Sequence, residues 1–423
     1  MNKIINKTFF KVDFILTSPL AISSGENVYA DKDVIRDSMG TPYIPASSIA
    51  GVCRSTLRKM NKSYIDYYFG YVQKATELNN FNSISEASRL NFYDANIATG
   101  KNGYVLSVRD SVALDEYKTA KKGAKFDIEV IEPGVTFTTY IECTKYEKDI
   151  ALDSILTDLK SIFNSDQISF GAKTMRGYGA VKTEAIKQAS FDLSSEYGQR
   201  KYIDFDMYSY NEWEEIDILK NNTIYNVLKL NLELDGAISI RKYSTRPSQN
   251  KNHPEPDYEQ LIVNNNTPVI PGTSWAGAFR HRMRDLGLSE TEINGLFGWV
   301  NKTNALKSAI RFSESELKHA QEKVMTRNAI NRFSGGITDG ALFTERTWYG
   351  GKTDLTILCT RLMTEREKNA LAATVTDLHY GYLAIGGLTA IGRGRFRVLS
   401  VNNAAVDQNS IYSSVREALD KWT

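Results

Sequence analysis

The chain has 423 residues, 52 of them Lys or Arg and 50 Asp or Glu, and a formal net charge of +2 excludes a surface that is cationic all over. An apolar content of 42% is that of a globular protein, and the length exceeds one ordinary core and suits two domains of roughly 200 residues each. No window approaches the roughly 18 uninterrupted apolar residues of a membrane span, and the start "MNKIINKTFFKVDF" lacks an apolar block with a cleavage site, so a cytoplasmic protein is expected.

In chain order, "FKVDFIL" alternates, with Phe10, Val12, Phe14 and Leu16 on one face and Lys11 and Asp13 on the other, which predicts a half-buried strand. It runs into "AIS" (Ala21 to Ser23) and then into a polar loop, "NVYADKDVIRD", carrying Asp31, Asp33 and Asp37. "TPYIPASSIAGVCR" (Thr41 to Arg54) follows. Pro45 fixes the backbone, Ser47 or Ser48 can cap a helix, and Ile49, Val52 and Cys53 form its inward face. Arg54 and Arg58 share the opposite face, so the helix start and the arginines together suit a phosphate backbone. Gly51 in mid helix costs about 1 kcal/mol and signals close approach of another backbone or a ligand. Near the end of this half, "FGAKTMRGYGAV" (Phe170 to Val181) offers Lys173, Arg176, Gly177 and Gly179 as a donor-rich glycine loop, but it is no Walker loop and opens no long helix as a dinucleotide site must.

The same order then recurs. "VLKLNLELD" repeats the strand with Leu228, Leu230, Leu232 and Leu234 inward, a second "AIS" is Ala237 to Ser239, and the next loop is ten residues longer. "TPVIPGTSWAGAFR" supplies Thr273 or Ser274 as cap, Gly277 in mid helix, and the cations Arg280, His281, Arg282 and Arg284. "AINRFSGGITDGALFTE" (Ala329 to Glu345) matches "ALDEYKTAKKGAKFDIE" (Ala113 to Glu129) without a gap, and "IGGLTAIGRGRF" (Ile385 to Phe396), with Arg393 and Arg395, matches the first glycine loop. Four ordered landmarks make a duplication, with expected domains at 1–205 and 222–423 and a linker at 206–221. Cys53, Cys143 and Cys359 lie apart without CxxC spacing, and His253, His281, His319 and His379 form no HxxxH pair, which argues against disulfides and a structural zinc site.

Counting back fourteen residues from Pro45 and from Pro271 reaches Asp31 and Asp257. A single loop Asp is ordinarily a turn residue. Beside an RNA backbone, however, such a carboxylate can hold a hydrated Mg²⁺ or orient a 2′-hydroxyl. No second carboxylate is placed well enough for a two-metal nuclease.

The order strand, "DKDVIRDSMGTPYIPASSIAGVCR", "RDSVALDEYKTAKKGAKFDIEVIEPGVTF", "GAKTMRGYGAV" resembles the backbone subunits of type III CRISPR effector complexes in the RAMP superfamily, and the doubling resembles the fused two-unit subunits of subtype III-D. The resemblance implies an α+β fold of two tandem RRM-like, ferredoxin-like βαββαβ domains, each with a thumb hairpin, here around Asp115 to Glu129 and Asn331 to Glu345. It also implies a subunit that binds guide RNA, assembles with other RAMP subunits and a large subunit, and cleaves complementary single-stranded target RNA at regular intervals in a Mg²⁺-dependent reaction. The family's loop aspartate falls at Asp31 and Asp257, and RNA contacts fall on Ser47, Ser48, Arg54, Arg58, Lys173, Arg176, Gly177, Thr273, Ser274, Arg280, Arg282, Arg393 and Arg395. Departures are Ala46, where the family has glycine after Ile-Pro, Ala50 and Ala276 in place of lysine, and Val263 and Asn264 in place of the Arg-Asp pair at Arg36 and Asp37. A scaffold with one or both sites inactive is the alternative. A related guide-processing ribonuclease would work through His281 or His253, but His281 lies on the cationic helix. No RNP motif is present, so backbone and shape contacts are expected to outweigh base stacking.

Overall fold

A computed structural model describes residues 3–23, 25, 30–73, 84–98, 100, 103–114, 120–149, 152–165, 167–217, 224–242, 256–263, 266–301, 303–407 and 409–422. The first repeat contains β1 (Ile4–Leu16), α1 (Ala46–Lys59), β2 (Leu90–Phe92), a hairpin of β3 (Leu106–Leu114) and β4 (Ala120–Ile131), β5 (Thr136–Tyr146), α2 (Leu152–Asn164), β6 (Val181–Asp192) and α3 (Glu196–Ile203). Its sheet runs β6-β1-β5-β2, antiparallel throughout. The alternation in β1 is realised: Phe10, Val12, Phe14 and Leu16 enter one core with Ile49, Cys53 and Leu57 of α1 and Ile155, Leu159 and Phe163 of α2.

The second repeat rebuilds this plan with β7 (Asn226–Asp235), α4 (Gly272–Asp285), β8 (Ile310–Phe312), a hairpin of β9 (Gln321–Ile330) and β10 (Ile337–Tyr349), β11 (Lys352–Cys359), α5 (Glu365–His379), β12 (Arg395–Val401) and α6 (Ile411–Asp420). The sheet order β12-β7-β11-β8 is the same, and Leu228, Leu230, Leu232 and Leu234 meet Trp275, Phe279 and Leu371 in its core. Each repeat is therefore ferredoxin-like, two βαβ halves whose helices cover one sheet face.

The chain forms two compact units, one of Met1–Val108, Ile128–Ala172 and Gly179–Ile224, the other of Arg109–Asp127, Lys173–Tyr178 and Tyr225–Thr423. Two excursions of the first repeat, its hairpin and its glycine loop, thus belong to the second unit. The segment 115–119 of the expected first thumb lies outside the described residues, as does His253.

Three sequence expectations are corrected. The helix caps are Pro45 and Pro271 without a side-chain hydrogen bond, so Ser47, Ser48, Thr273 and Ser274 lie inside the first turn, because the proline-fixed extended backbone already turns the chain into the helix. The two "AIS" phrases are out of register by two residues. Ala172 N–H donates to Ala21 O at 2.7 Å and Gly387 N–H to Ser239 O at 2.8 Å, so Ser239 holds the place of Ala21, and Arg241 that of Ser23. The bridges Arg36↔Pro42 and Ile262↔Pro268 likewise put Ile262 opposite Arg36, so Ile262 and Val263, not Val263 and Asn264, replace the Arg-Asp pair.

The segment after β6 is no bare tether. Ser195 accepts the Gly198 N–H to cap α3, and the chain beyond lays Phe205 against Phe9 at 4.6 Å and Phe191 at 4.8 Å between ring centroids, with Tyr208 edge-on to Tyr140 at 5.4 Å. These partners lie on the sheet face that the helices leave uncovered. The stretch from Tyr202 to Trp213 therefore covers the aromatic part of that face. Phe205→Ala should destabilise this unit by about 2 kcal/mol in urea unfolding, since a large ring leaves a partly buried cluster; a change under about 0.5 kcal/mol would show that the segment is held elsewhere.

Candidate nucleic-acid interface

In the first repeat a groove of about 420 Å³ is lined by Ile22, Ser23, Ser48, Gly51, Val52, Ser55, Gly171 and Ala172. One wall is the polar side of α1 and the other is backbone. Gly171, at φ +76°, approaches so closely that a Cβ would lie 2.4 Å from Ala21 O, and Gly386 in the second repeat, at φ +91°, would put one 2.7 Å from Ser239 O. Gly51 behaves differently: a Cβ there meets nothing within 4 Å, and the same holds for Gly277 on α4. Each helix carries this conformational penalty with no neighbour among the described residues to account for it, so the two positions are open on the described surface.

The arginines beside this groove are largely engaged. Arg54 donates to Asp66 at 2.7 Å and to Gly70 O at 3.3 Å, and its hydrogen bond holds the Asp66 carboxyl below the usual range. Arg58 adds a longer contact to Asp66 at 3.6 Å. Arg280 donates to Asn294 at 3.1 Å, and burial followed by repulsion from Arg284 lowers its pKa. Arg282 pairs with Asp377 at 2.7 Å. Lys173 lies 4.0 Å over the Phe126 ring, while Arg176 and Arg395 are exposed. Gly177 faces protein, for a Cβ there would meet Phe312 O at 2.5 Å. The first-turn amide of Ala46 donates to Asp94 at 2.7 Å, so it is not open to an anion.

Both loop aspartates are exposed, and both sit at the root of the hairpin. Glu129 N–H donates to Lys32 O at 3.0 Å, and Tyr258 pairs with Glu345, so Asp31 and Asp257 each lie one residue before equivalent rungs. Asp257 makes a further closed pair with Thr344: its N–H donates to Thr344 O at 2.9 Å, and its Oδ2 accepts Thr344 N–H at 2.8 Å. The rungs are clamped by buried carboxylates. Glu129 accepts from Val34 N–H at 2.9 Å and from Arg36 at 2.6 Å. In the second repeat, where isoleucine replaces Arg36, Glu345 is held by Arg327 at 2.8 Å and by Arg393. Arg393 is buried, so in this conformation its guanidinium serves the protein.

Sequence reading missed Arg241. It stands at the groove wall of the second repeat, 3.6 Å from a Cβ built on Gly387, and lies 4.4 Å over the ring of Tyr258, the neighbour of Asp257. The two-residue register shift hid it, because counting from "AIS" aligned Ser239 with Ser23. Among the described residues no three His, Cys, Asp or Glu side chains converge as a metal site, and no helix is long and apolar enough to cross a membrane.

A sequence profile of the RAMP superfamily matches residues 13–182 and 218–397. The chain belongs to the RAMP superfamily. It is a tandem RAMP protein and a CRISPR-associated RNA-binding subunit, whose partners in general terms are CRISPR RNA and other CRISPR-associated subunits. No curated protein matches the chain. The two matched regions coincide with the two repeats.

Gly51→Ala and Gly277→Ala should each raise unfolding stability by about 0.5–1 kcal/mol through helix propensity, whereas Gly51→Leu and Gly277→Leu should weaken binding of guide RNA several-fold in filter binding. An alanine variant that is destabilised would show that a protein neighbour fills the space.

Proposed function

We propose that this chain is a guide-RNA-binding backbone subunit of a type III CRISPR interference complex, of the fused two-unit kind, and that it cleaves guide-complementary RNA at Asp31 and Asp257. The observation that carries the binding half is the pair of open mid-helix glycines, Gly51 on the wall of the small-residue groove of the first repeat and Gly277 at the equivalent place on α4. A sugar-phosphate backbone is thin and donor-seeking, and a wall of Ser48, Ser55 and close-lying main chain suits it without reading base edges. Target sequence is then left to pairing with the guide.

The cutting half rests on placement. Each aspartate is exposed at the base of a protruding hairpin, and the second hairpin carries Phe333 at its tip with 94% exposure. A hairpin of this kind separates stacked nucleotides, and a nucleotide displaced at its root presents a 2′-hydroxyl to the carboxylate. The carboxylate orients that hydroxyl for attack on the adjacent phosphorus, the 5′-oxygen leaves, and a 2′,3′-cyclic phosphate and a 5′-hydroxyl result. Each site offers one exposed carboxylate, which fits Mg²⁺ only in a mode where RNA oxygens and water supply the remaining ligands. Bound so, Asp31 or Asp257 would hold the ion, and the ion would supply charge stabilisation at the phosphate.

One observation favours a second reading for the second repeat. The Thr344 N–H already occupies Asp257 Oδ2, as in a purely structural loop tie. The assembled complex, given Mg²⁺ and a guide-complementary RNA, separates the two readings. Asp31→Asn and Asp257→Asn should each remove one set of products by at least 100-fold while guide binding and assembly are retained, and EDTA should remove both. A complete ladder in the double variant would make the chain a scaffold, and loss of only the Asp31 products would make Asp257 structural.

A further inference from the structure

The second unit contains a joint that serves as a template for what the chain's outer ends can accept. The first repeat's turn Thr174–Arg176, closed by Gly177, packs on the start of α4 and the end of β8. The fit is backbone on backbone: a Cβ on Gly177 would meet Phe312 O at 2.5 Å, and one on Gly272 would meet Arg176 O at 2.8 Å. Arg109, from the hairpin excursion rather than the glycine loop, pairs with Glu314 at 2.5 Å, both side chains buried, and Met325 holds the place of Arg109 in the second repeat. The joint thus has a knob, a glycine turn with basic residues, and a socket, a glycine helix start with an acid.

The second repeat carries the knob again, and among the described residues nothing packs on Gly392. Leu388 and Gly392 repeat the left-handed conformations of Lys173 and Gly177, at φ +56° and +86° against +56° and +88°, and a Cβ on Gly392 meets nothing within 4 Å. Its chemistry is different. Ile391 stands at the place of Arg176 with 54% exposure, Leu388 at that of Lys173, and Tyr380 and Tyr382, the latter 75% exposed, at those of Ser165 and Gln167. The first repeat carries the socket again, and it is altered as well. The bridge Ile44↔Ala95 and the pair Ile270↔Ser315 put Asp94 at the place of Glu314. Ala46 replaces Gly272, and Asp94 is folded back onto the Ala46 N–H at 2.7 Å.

We propose that the Leu388–Gly392 turn is a docking knob for a different RAMP-type subunit, one with glycine at the helix start and an apolar residue where Glu314 stands, and that this chain does not chain onto copies of itself. An apolar knob meets a mismatched socket on its own kind: the alanine methyl occupies the space that Gly272 leaves to a carbonyl, and the rim is a carboxylate. The proposal rests on the backbone-subunit reading above, and its test does not depend on RNA.

Sedimentation of the purified full chain at tens of micromolar should show a single monomer boundary, unchanged by Gly392→Val. The combination Ala46→Gly, Asp94→Glu, Met325→Arg and Ile391→Arg, which restores the glycine, the acid and both cations of the internal joint at the two ends, should produce a concentration-dependent ladder that Gly392→Val abolishes. A wild-type ladder abolished by Gly392→Val, or a restored variant that stays monomeric while folded by circular dichroism, would overturn the proposal. In co-expression with the other subunits of its own complex, Gly392→Val and Ile391→Asp should reduce recovery of one neighbour at least tenfold, and undiminished recovery of every neighbour would overturn it too. Guide RNA binding by the same variants, measured separately, should match wild type; absence of RNA binding in wild type would instead defeat the backbone-subunit reading.

Discussion

A buried carboxylate stands at the root of each hairpin; Glu129 holds the first aspartate loop directly, while the second loop is tied to its hairpin by Asp257 on the Thr344 N–H and by Glu259 on Arg346. Glu129 and Glu345 are 7% and 1% exposed, and a carboxylate that has left water must be met by cations or N–H donors. The first repeat meets this demand from within the loop, with Arg36 and the Val34 amide. The second meets it from the hairpin and the glycine loop, with Arg327 and Arg393. Once the clamp no longer depends on the loop's own arginine, the loop is released from sequence constraint. This accounts for a loop that, counted from Ala21 and Ser239, is eight residues longer (18 against 10) and lacks the Arg-Asp pair yet brings Asp257 to the same rung as Asp31.

Much of this was legible in the sequence. Alternation identified β1 and β7 and their inward faces, since a strand with one buried side must repeat every second residue. Counting from proline found the equivalent aspartates because the stretch from loop to helix is rigid, ending in a residue whose φ is fixed. The glycines at positions 51 and 277 were legible as spaces being kept. What they were kept from was not, because a sequence shows a helical penalty without showing the surroundings.

The misreadings share a cause: local pattern does not carry register or partners across long separations. Two identical "AIS" phrases invited alignment, but the connection from strand to groove is equally long in both repeats and the phrase lies two residues nearer the strand in the second, which the hydrogen bonds from Gly387 and Ala172 reveal. The cations on α1 and α4 were readable as a face. Their partners Asp66 and Asp377 lie 12 and 95 residues away, and Arg393 finds Glu345 at a separation of 48. An arginine's distance from its carboxylate in sequence has no bearing on whether the two meet, so cation spacing alone overstated how much positive charge the groove wall offers.

The contrast between the two glycine turns follows from which joint is covalently assisted. Where knob and socket belong to one chain, the second partner is held at high effective concentration, so a fit built of backbone contact and one buried ion pair is sufficient even though such a pair contributes little net stability. A joint to a separate molecule must offset roughly 4–15 kcal/mol of lost translational and rotational freedom. Apolar surface is the contribution that scales with area and needs no matching charge. Lys173 and Arg176 on the internal turn, and Leu388 and Ile391 on the outer one, are what that asymmetry requires of a single backbone shape used twice.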